Sequence, residues 1–114
     1  MIHYGVSKTA QIALARGLAE MSGQHNVTVN SVLVGPTKSE GVEVFLKDLA
    51  KQNQSTEADV EKNFFQNPRP TSLIKRFIEP EEVGAFVGFL ASREASAITG
   101  SALRVDGGVV KSII

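Results

Sequence analysis

The chain has 114 residues, room for one small domain. Twelve lysines and arginines balance twelve aspartates and glutamates, so no net field is available to recruit nucleic acid or an anionic membrane surface. The absence of cysteine excludes disulfide scaffolds and thiolate metal sites, and 42% hydrophobic with 21% charged residues is the balance of a folded domain.

No apolar run approaches the roughly 20 residues of a membrane span. Lys8 sits between polar neighbours and breaks what would otherwise be the apolar core of a leader. These readings predict a cytoplasmic protein with no nucleic-acid and no membrane partner.

The first predicted element is a helix from about Tyr4 to Ser22. Ala10, Leu14, Leu18 and Met21 recur at helical spacing, and Ile12, Ala13, Ala15 and Ala19 widen the stripe until little polar face remains. Such a helix asks for burial on most sides, against a sheet and a further helix or subunit. Gly23 is placed to close its last turn in a left-handed conformation. Residues Asn26 to Val34 read as a strand, rich in β-branched residues and halted by Gly35-Pro36.

Residues 37 to 79 are more polar. Val42, Phe45, Leu46 and Leu49 mark one amphipathic helix. Thr56 with Asp59 forms a capping box for a second, with Val60, Phe64 and Phe65 on its apolar side, and Asn67-Pro68-Arg69-Pro70 stops it. Pro80 then stands at a first helical position, followed by Glu81 and Glu82 at the positive end of the helix dipole. Val83, Phe86, Val87 and Leu90 supply the apolar face, and Ala102 to Asp106 is a last short strand closed by Gly107-Gly108. Helix, strand, helical insert, helix and strand in that order predict an α/β fold with both strands parallel. Two parallel strands would leave unpaired edges, which points to part of a larger sheet.

Several residues could carry chemistry. Tyr4 and Lys8 stand four apart on one helix face, where an ammonium beside a phenol favours the phenolate and eases proton exchange with a carbonyl or alcohol. A surface tyrosine beside a solvated lysine has the same spacing. Gly35, Thr37 and Ser39 follow the carboxyl end of a strand, where open parallel sheets bind ligands. The alternative there is a plain strand-ending turn with a helix cap at Ser39. Asp106-Gly107-Gly108 reads as a strand end or as a metal or phosphate turn. His3 and His25 lack a second ligand at useful spacing, so no metal site is expected.

Taken in order, Tyr4-Gly5-Val6-Ser7-Lys8, Val29 to Thr37, Glu79-Pro80-Glu81-Glu82-Val83 and Ile98 to Gly108 resemble the carboxyl-terminal half of the short-chain dehydrogenase/reductase family. The resemblance spans nearly the whole chain. One departure is Val34, where the family commonly has proline before this glycine. The resemblance implies that residues 1–114 are the carboxyl-terminal segment of a single Rossmann-like, doubly wound parallel α/β domain, with about 40–75 as a lid over the substrate. It implies that Tyr4 exchanges a proton with the substrate oxygen and that Lys8 holds the ribose hydroxyls of NAD or NADP. Gly35, Thr37 and Ser39 then meet the nicotinamide end, so that Tyr4, Lys8 and this turn together touch the cofactor.

A small carbonyl or alcohol substrate and a homo-oligomer, dimer or tetramer, follow from the same resemblance. The family's glycine-rich phosphate loop, its selector between NAD and NADP and its catalytic serine before the tyrosine are not among these 114 residues. The expectation is therefore a chain that begins inside a reductase and is inactive by itself. A second reading is a non-catalytic truncated remnant that acts as an assembly or binding partner.

Overall fold

The computed structural model describes residues 1–113. Its elements are α1 (Ile2–Ser22), β1 (Ser31–Val34), α2 (Glu40–Gln52), α3 (Glu57–Gln66), α4 (Pro80–Leu90) and β2 (Ala102–Val105), with short 3-10 turns at Gly23–His25 and Arg93–Ala95. β1 pairs with β2 in a two-stranded sheet. The amide of Ser31 donates to Ser101 O and that of Gly35 to Val105 O, at one constant sequence offset, which is the parallel pattern. The alternation of helix and strand is as the sequence predicts. The chain divides into two bodies, Met1–Leu33 with Phe86–Arg104, and Val34–Ala85 with the residues from Val105 onward.

In the first body, α1 starts two residues earlier than the apolar periodicity suggests. Gly23 stays right-handed at φ −56°, and the left-handed residue is instead Asn26 at φ 56°, whose amide donates to Gly23 O. Asparagine tolerates that region because its short polar side chain bonds locally. The strand expected from Asn26 begins only at Ser31. Ahead of it, side chains replace part of the ladder: Val29 N–H donates to Thr99 Oγ1, Asn30 Nδ2 donates to Ile98 O at 2.8 Å, and Asn30 Oδ1 accepts from Ser101 N–H. A single asparagine thus fixes where the strand pair starts.

Burial of α1 on most sides is not found. Ala19 is its one buried residue, whereas Leu14 is 63% and Met21 71% exposed. Two strands of four residues each offer too little apolar surface to cover a helix of 21 residues.

The second body holds the best-packed apolar cluster: Leu46 and Ala50 from α2, Val60 and Phe65 from α3, and Phe77. Phe64, Phe65 and Phe77 form a ring triad with centroids 4.9 to 5.0 Å apart, one pair stacked and two edge-on. Burying one such ring contributes about 1.5–3 kcal/mol. The capping box is present in full, with Asp59 N–H donating to Thr56 Oγ1 and Thr56 N–H to Asp59 Oδ2. The Thr56 hydroxyl, donating to Asp59 Oδ2 at 2.6 Å, and then the Thr56 amide hold the Asp59 carboxyl below its ordinary value. α3 ends at Gln66, just before Asn67-Pro68.

Ahead of α4, Arg76 grips Glu82 with both terminal nitrogens at 2.7 and 2.8 Å, and Glu79 N–H donates to the same carboxylate. The Arg76 hydrogen bonds, and then the Glu79 amide, bring the Glu82 carboxyl from an ordinary 4.5 down to about 2. A carboxyl with a depressed folded-state value stabilises the fold above its ordinary value, and that contribution fades as pH falls from 4.5 through about 2. We expect a carboxyl-detected NMR titration to place Glu82 near 2, and Arg76→Gln to move its midpoint upward toward 4.5. An unmoved midpoint in that variant would rule out the guanidinium as the cause.

Candidate functional site

The candidate residues divide between the two bodies. On α1, Tyr4 and Lys8 lie one turn apart, and Lys8 Nζ sits 5.6 Å from the centre of the Tyr4 ring. Lys8 also donates to Gln11 Oε1 at 3.3 Å, and Ser7 Oγ donates to Tyr4 O at 2.9 Å. Tyr4 is 53% exposed. The helix therefore presents a phenol and an ammonium side by side.

In the second body, Gly35 sits where the backbone passes very close to Asp106. A β-carbon on residue 35 would lie 2.6 Å from Asp106 O and 2.7 Å from its Cα. The glycine is required by that approach. Thr37 Oγ1 donates to Gly35 O at 3.0 Å, which leaves its lone pairs able to accept. Thr37 and Ile78 form a parallel bridge, in which Lys38 N–H donates to Ile78 O and Ile78 N–H to Pro36 O. Ser39 is the N-cap residue of α2 in extended conformation, but its side chain makes no capping hydrogen bond. Its hydroxyl is thus not consumed by the helix end.

The Asp106-Gly107-Gly108 group is a turn held by its own carboxylate. Asp106 Oδ1 accepts from Gly108 N–H at 2.9 Å and Oδ2 from Val110 N–H at 3.2 Å. Both glycines have positive φ, 63° and 74°, and β-carbons on them would run into Ile74 and Leu73. Gly107 O accepts the Leu73 amide at 2.8 Å. These contacts account for the group as a strand-ending turn. Among the described residues, no three His, Asp or Glu side chains gather in a metal-binding arrangement.

A cavity of about 440 Å³ opens within the second body. Gly35 and Thr37 line it, together with Pro36, Val42, Phe45, Phe64 and Phe77, and Arg69 is the one charged residue on its wall. Ser39 lies outside that lining. In the sequence Arg69 stands out only as part of a helix-stopping segment, and Asn30 carries no sign of its side-chain role. The signal available for Arg69 was its position between two prolines, a cation on a stiffened loop.

A family model described as enoyl-(acyl carrier protein) reductase matches residues 1–110. The chain is 48% identical over 113 residues to the uncharacterized oxidoreductase YvaG of Bacillus subtilis, and 49% identical over 114 residues to YvrD of the same organism. In each case the match takes 99% of this chain and 43% of the relative, so the chain spans less than half the length of these proteins. Its fold is similar to that of L-sorbose reductase from Gluconobacter frateurii, solved in complex with NADPH and L-sorbose. The TM-score is 0.85 at 31% identity, covering 96% of this chain and 41% of that one. No helix among the described residues is long and apolar enough to cross a membrane.

The Gly35–Asp106 approach gives a direct stability test. Gly35→Ala is expected to cost about 1–3 kcal/mol in urea unfolding, because backbone atoms on both sides must move. Gly41→Ala is expected to be neutral or slightly stabilising, since Gly41 is helical with open space around it. Equal effects of the two changes would show that the close approach is not a constraint.

Proposed function

The chain belongs to the short-chain dehydrogenase/reductase family, and from that premise we propose that it carries the proton-transfer part of an NAD(P)-dependent oxidoreductase acting on a small carbonyl or alcohol. The observation that carries this reading is the Tyr4–Lys8 pair on α1, with ammonium and phenol ring 5.6 Å apart. The donor set suits a nicotinamide riboside. Lys8 offers an ammonium to ribose hydroxyls, and the Gly35–Ser39 turn offers a threonine hydroxyl, a serine hydroxyl and backbone groups to a carboxamide. NADPH in the L-sorbose reductase complex supports a nicotinamide cofactor, NAD or NADP, here.

When bound, the reduced nicotinamide supplies a hydride, two electrons and one proton, to the carbonyl carbon. Tyr4 supplies the second proton to the carbonyl oxygen and is reprotonated from solvent; alcohol oxidation runs the same steps backward. Lys8 holds its ammonium 5.6 Å from the centre of the Tyr4 ring, beside the phenol that gives up the proton. Residues 40–75 form the lid, with the 440 Å³ cavity as the place for the substrate's apolar part.

Isolated, the 114 residues are not expected to turn over. Their sequence has no glycine-rich loop opening a helix to hold a pyrophosphate, and one positioned acid cannot bring a nicotinamide within hydride reach of a carbonyl. The working protein on this reading is a reductase of the relatives' length, about 260 residues. A second reading, a non-catalytic partner that docks on a longer relative, is favoured by the exposed apolar stripe of α1, where Val6 is 66% and Leu14 63% exposed.

Two measurements follow. In the native protein, Tyr4→Phe is expected to lower kcat by about 100-fold or more while cofactor affinity changes less than twofold. Full turnover in that variant would remove Tyr4 from the proton-transfer role. Intact mass of the native product, captured from its source cells, is expected near 28 kDa by the length of the relatives. A product of 12.2 kDa alone would favour the docking partner.

A further inference from the structure

The cavity beside the Gly35–Thr37 turn has apolar walls with one charge among them. Arg69 lies on a loop between Pro68 and Pro70, whose fixed φ angles stiffen the backbone on both sides. Its amide donates to Phe64 O at 2.9 Å, and its carbonyl accepts from Ser72 N–H at 3.2 Å, so the loop is anchored to the end of α3. The guanidinium lies 5.9 Å from the Phe64 ring centre, and Nη1 donates to Pro68 O at 2.9 Å. Arg16 and Arg76 are each paired with a glutamate, whereas Arg69 pairs with no carboxylate of the described residues.

A guanidinium held this way keeps most of its five donors for a ligand and loses little rotamer freedom on binding one. Arg69 is exposed, and its charge is the one that a ligand entering the cavity meets. A single fork of donors matches one planar carboxylate; a phosphate dianion asks for more positive charge than this wall provides.

We propose that Arg69 is a specificity-determining residue of this cavity, and that the substrate class is an apolar oxo acid or its hydroxy-acid partner, with the carboxylate on Arg69 and the hydrocarbon against Phe45, Phe64 and Phe77. This deepens the reductase reading and rests on it for the carbonyl or alcohol part of the molecule. The cavity volume, about 440 Å³, lies in the range of small-molecule sites.

The test uses the native protein, with 4-oxo-4-phenylbutanoate and 5-oxohexanoate each beside its methyl ester. Affinity is read by calorimetry, and reduction by NADH and NADPH consumption. The acid of at least one pair is expected to be preferred over its ester by 10-fold or more in Kd and in kcat/KM. Arg69→Met should erase the preference, bringing acid and ester to within about twofold of each other in Kd and in kcat/KM, and Arg69→Lys should restore part of it.

Acid and ester bound alike, or neither bound, overturns the proposal; so does a preference that survives in Arg69→Met. A preference in Kd that depends on Arg69, with no reduction of any probe, supports the carboxylate site while counting against the reductase reading. The two failures are therefore told apart.

Discussion

Between Gly35 and Asp106 the backbones run so close that residue 35 has no room for a side chain. Much of the second body depends on that approach. It sets the Gly35 amide on Val105 O, and so fixes where β1 stops and the following turn begins. From there Thr37 and Lys38 pair with Ile78, which places the neighbouring Phe77 in the ring triad of the insert. On the other strand, Asp106 folds Gly107 and Gly108 back with its carboxylate, and Gly107 O receives Leu73. The segment from Leu73 to Ile78 is thus tied at both ends to the two strand ends. Gly35 is a small residue with a large structural consequence, because three successive hydrogen-bonded contacts inherit its position.

Much of this was legible from local chemistry. The capping box at Thr56, the stop at Asn67-Pro68 and the start at Pro80 all stand where residue type alone puts them, because a cap or a proline acts through atoms two to four residues away. The start of β1 is decided by partners far along the chain. Val27 to Asn30 has the composition of a strand, yet Thr99 Oγ1 and the Asn30 side chain occupy bonds a ladder would use. Gly23 is a fair candidate to close α1, but the chain runs on through a 3-10 turn and reserves the left-handed position for Asn26. No local pattern announces either choice.

The glycine of the strand-ending turn shows the same limit at the candidate site. Its residue type says that something approaches the backbone, and two approaches satisfy that statement equally: a ligand or another stretch of main chain. The main chain of Asp106 is the one in contact. Thr37 is similar, since its hydroxyl serves both as donor to Gly35 O and as an open acceptor. In this turn the residues proposed to meet a ligand already have structural partners, Asp106 for Gly35 and Gly35 O for Thr37.

The two bodies carry different burdens. α1 bears the phenol and the ammonium on an exposed helix with one buried residue, while the insert buries α2 and α3 against each other and against Phe77. A helix that keeps its chemistry on an exposed face is constrained by the groups that must meet there, not by its own packing. The insert is constrained the other way. Its triad must stay filled, but Phe45 is 54% exposed and Arg69 is also exposed, so both can change without opening that core. Residues on the insert's exposed face can therefore change without disturbing either its core or α1. Arg69, an exposed cation beside Phe64, is one such position: a charge where the packing of the core does not ask for one.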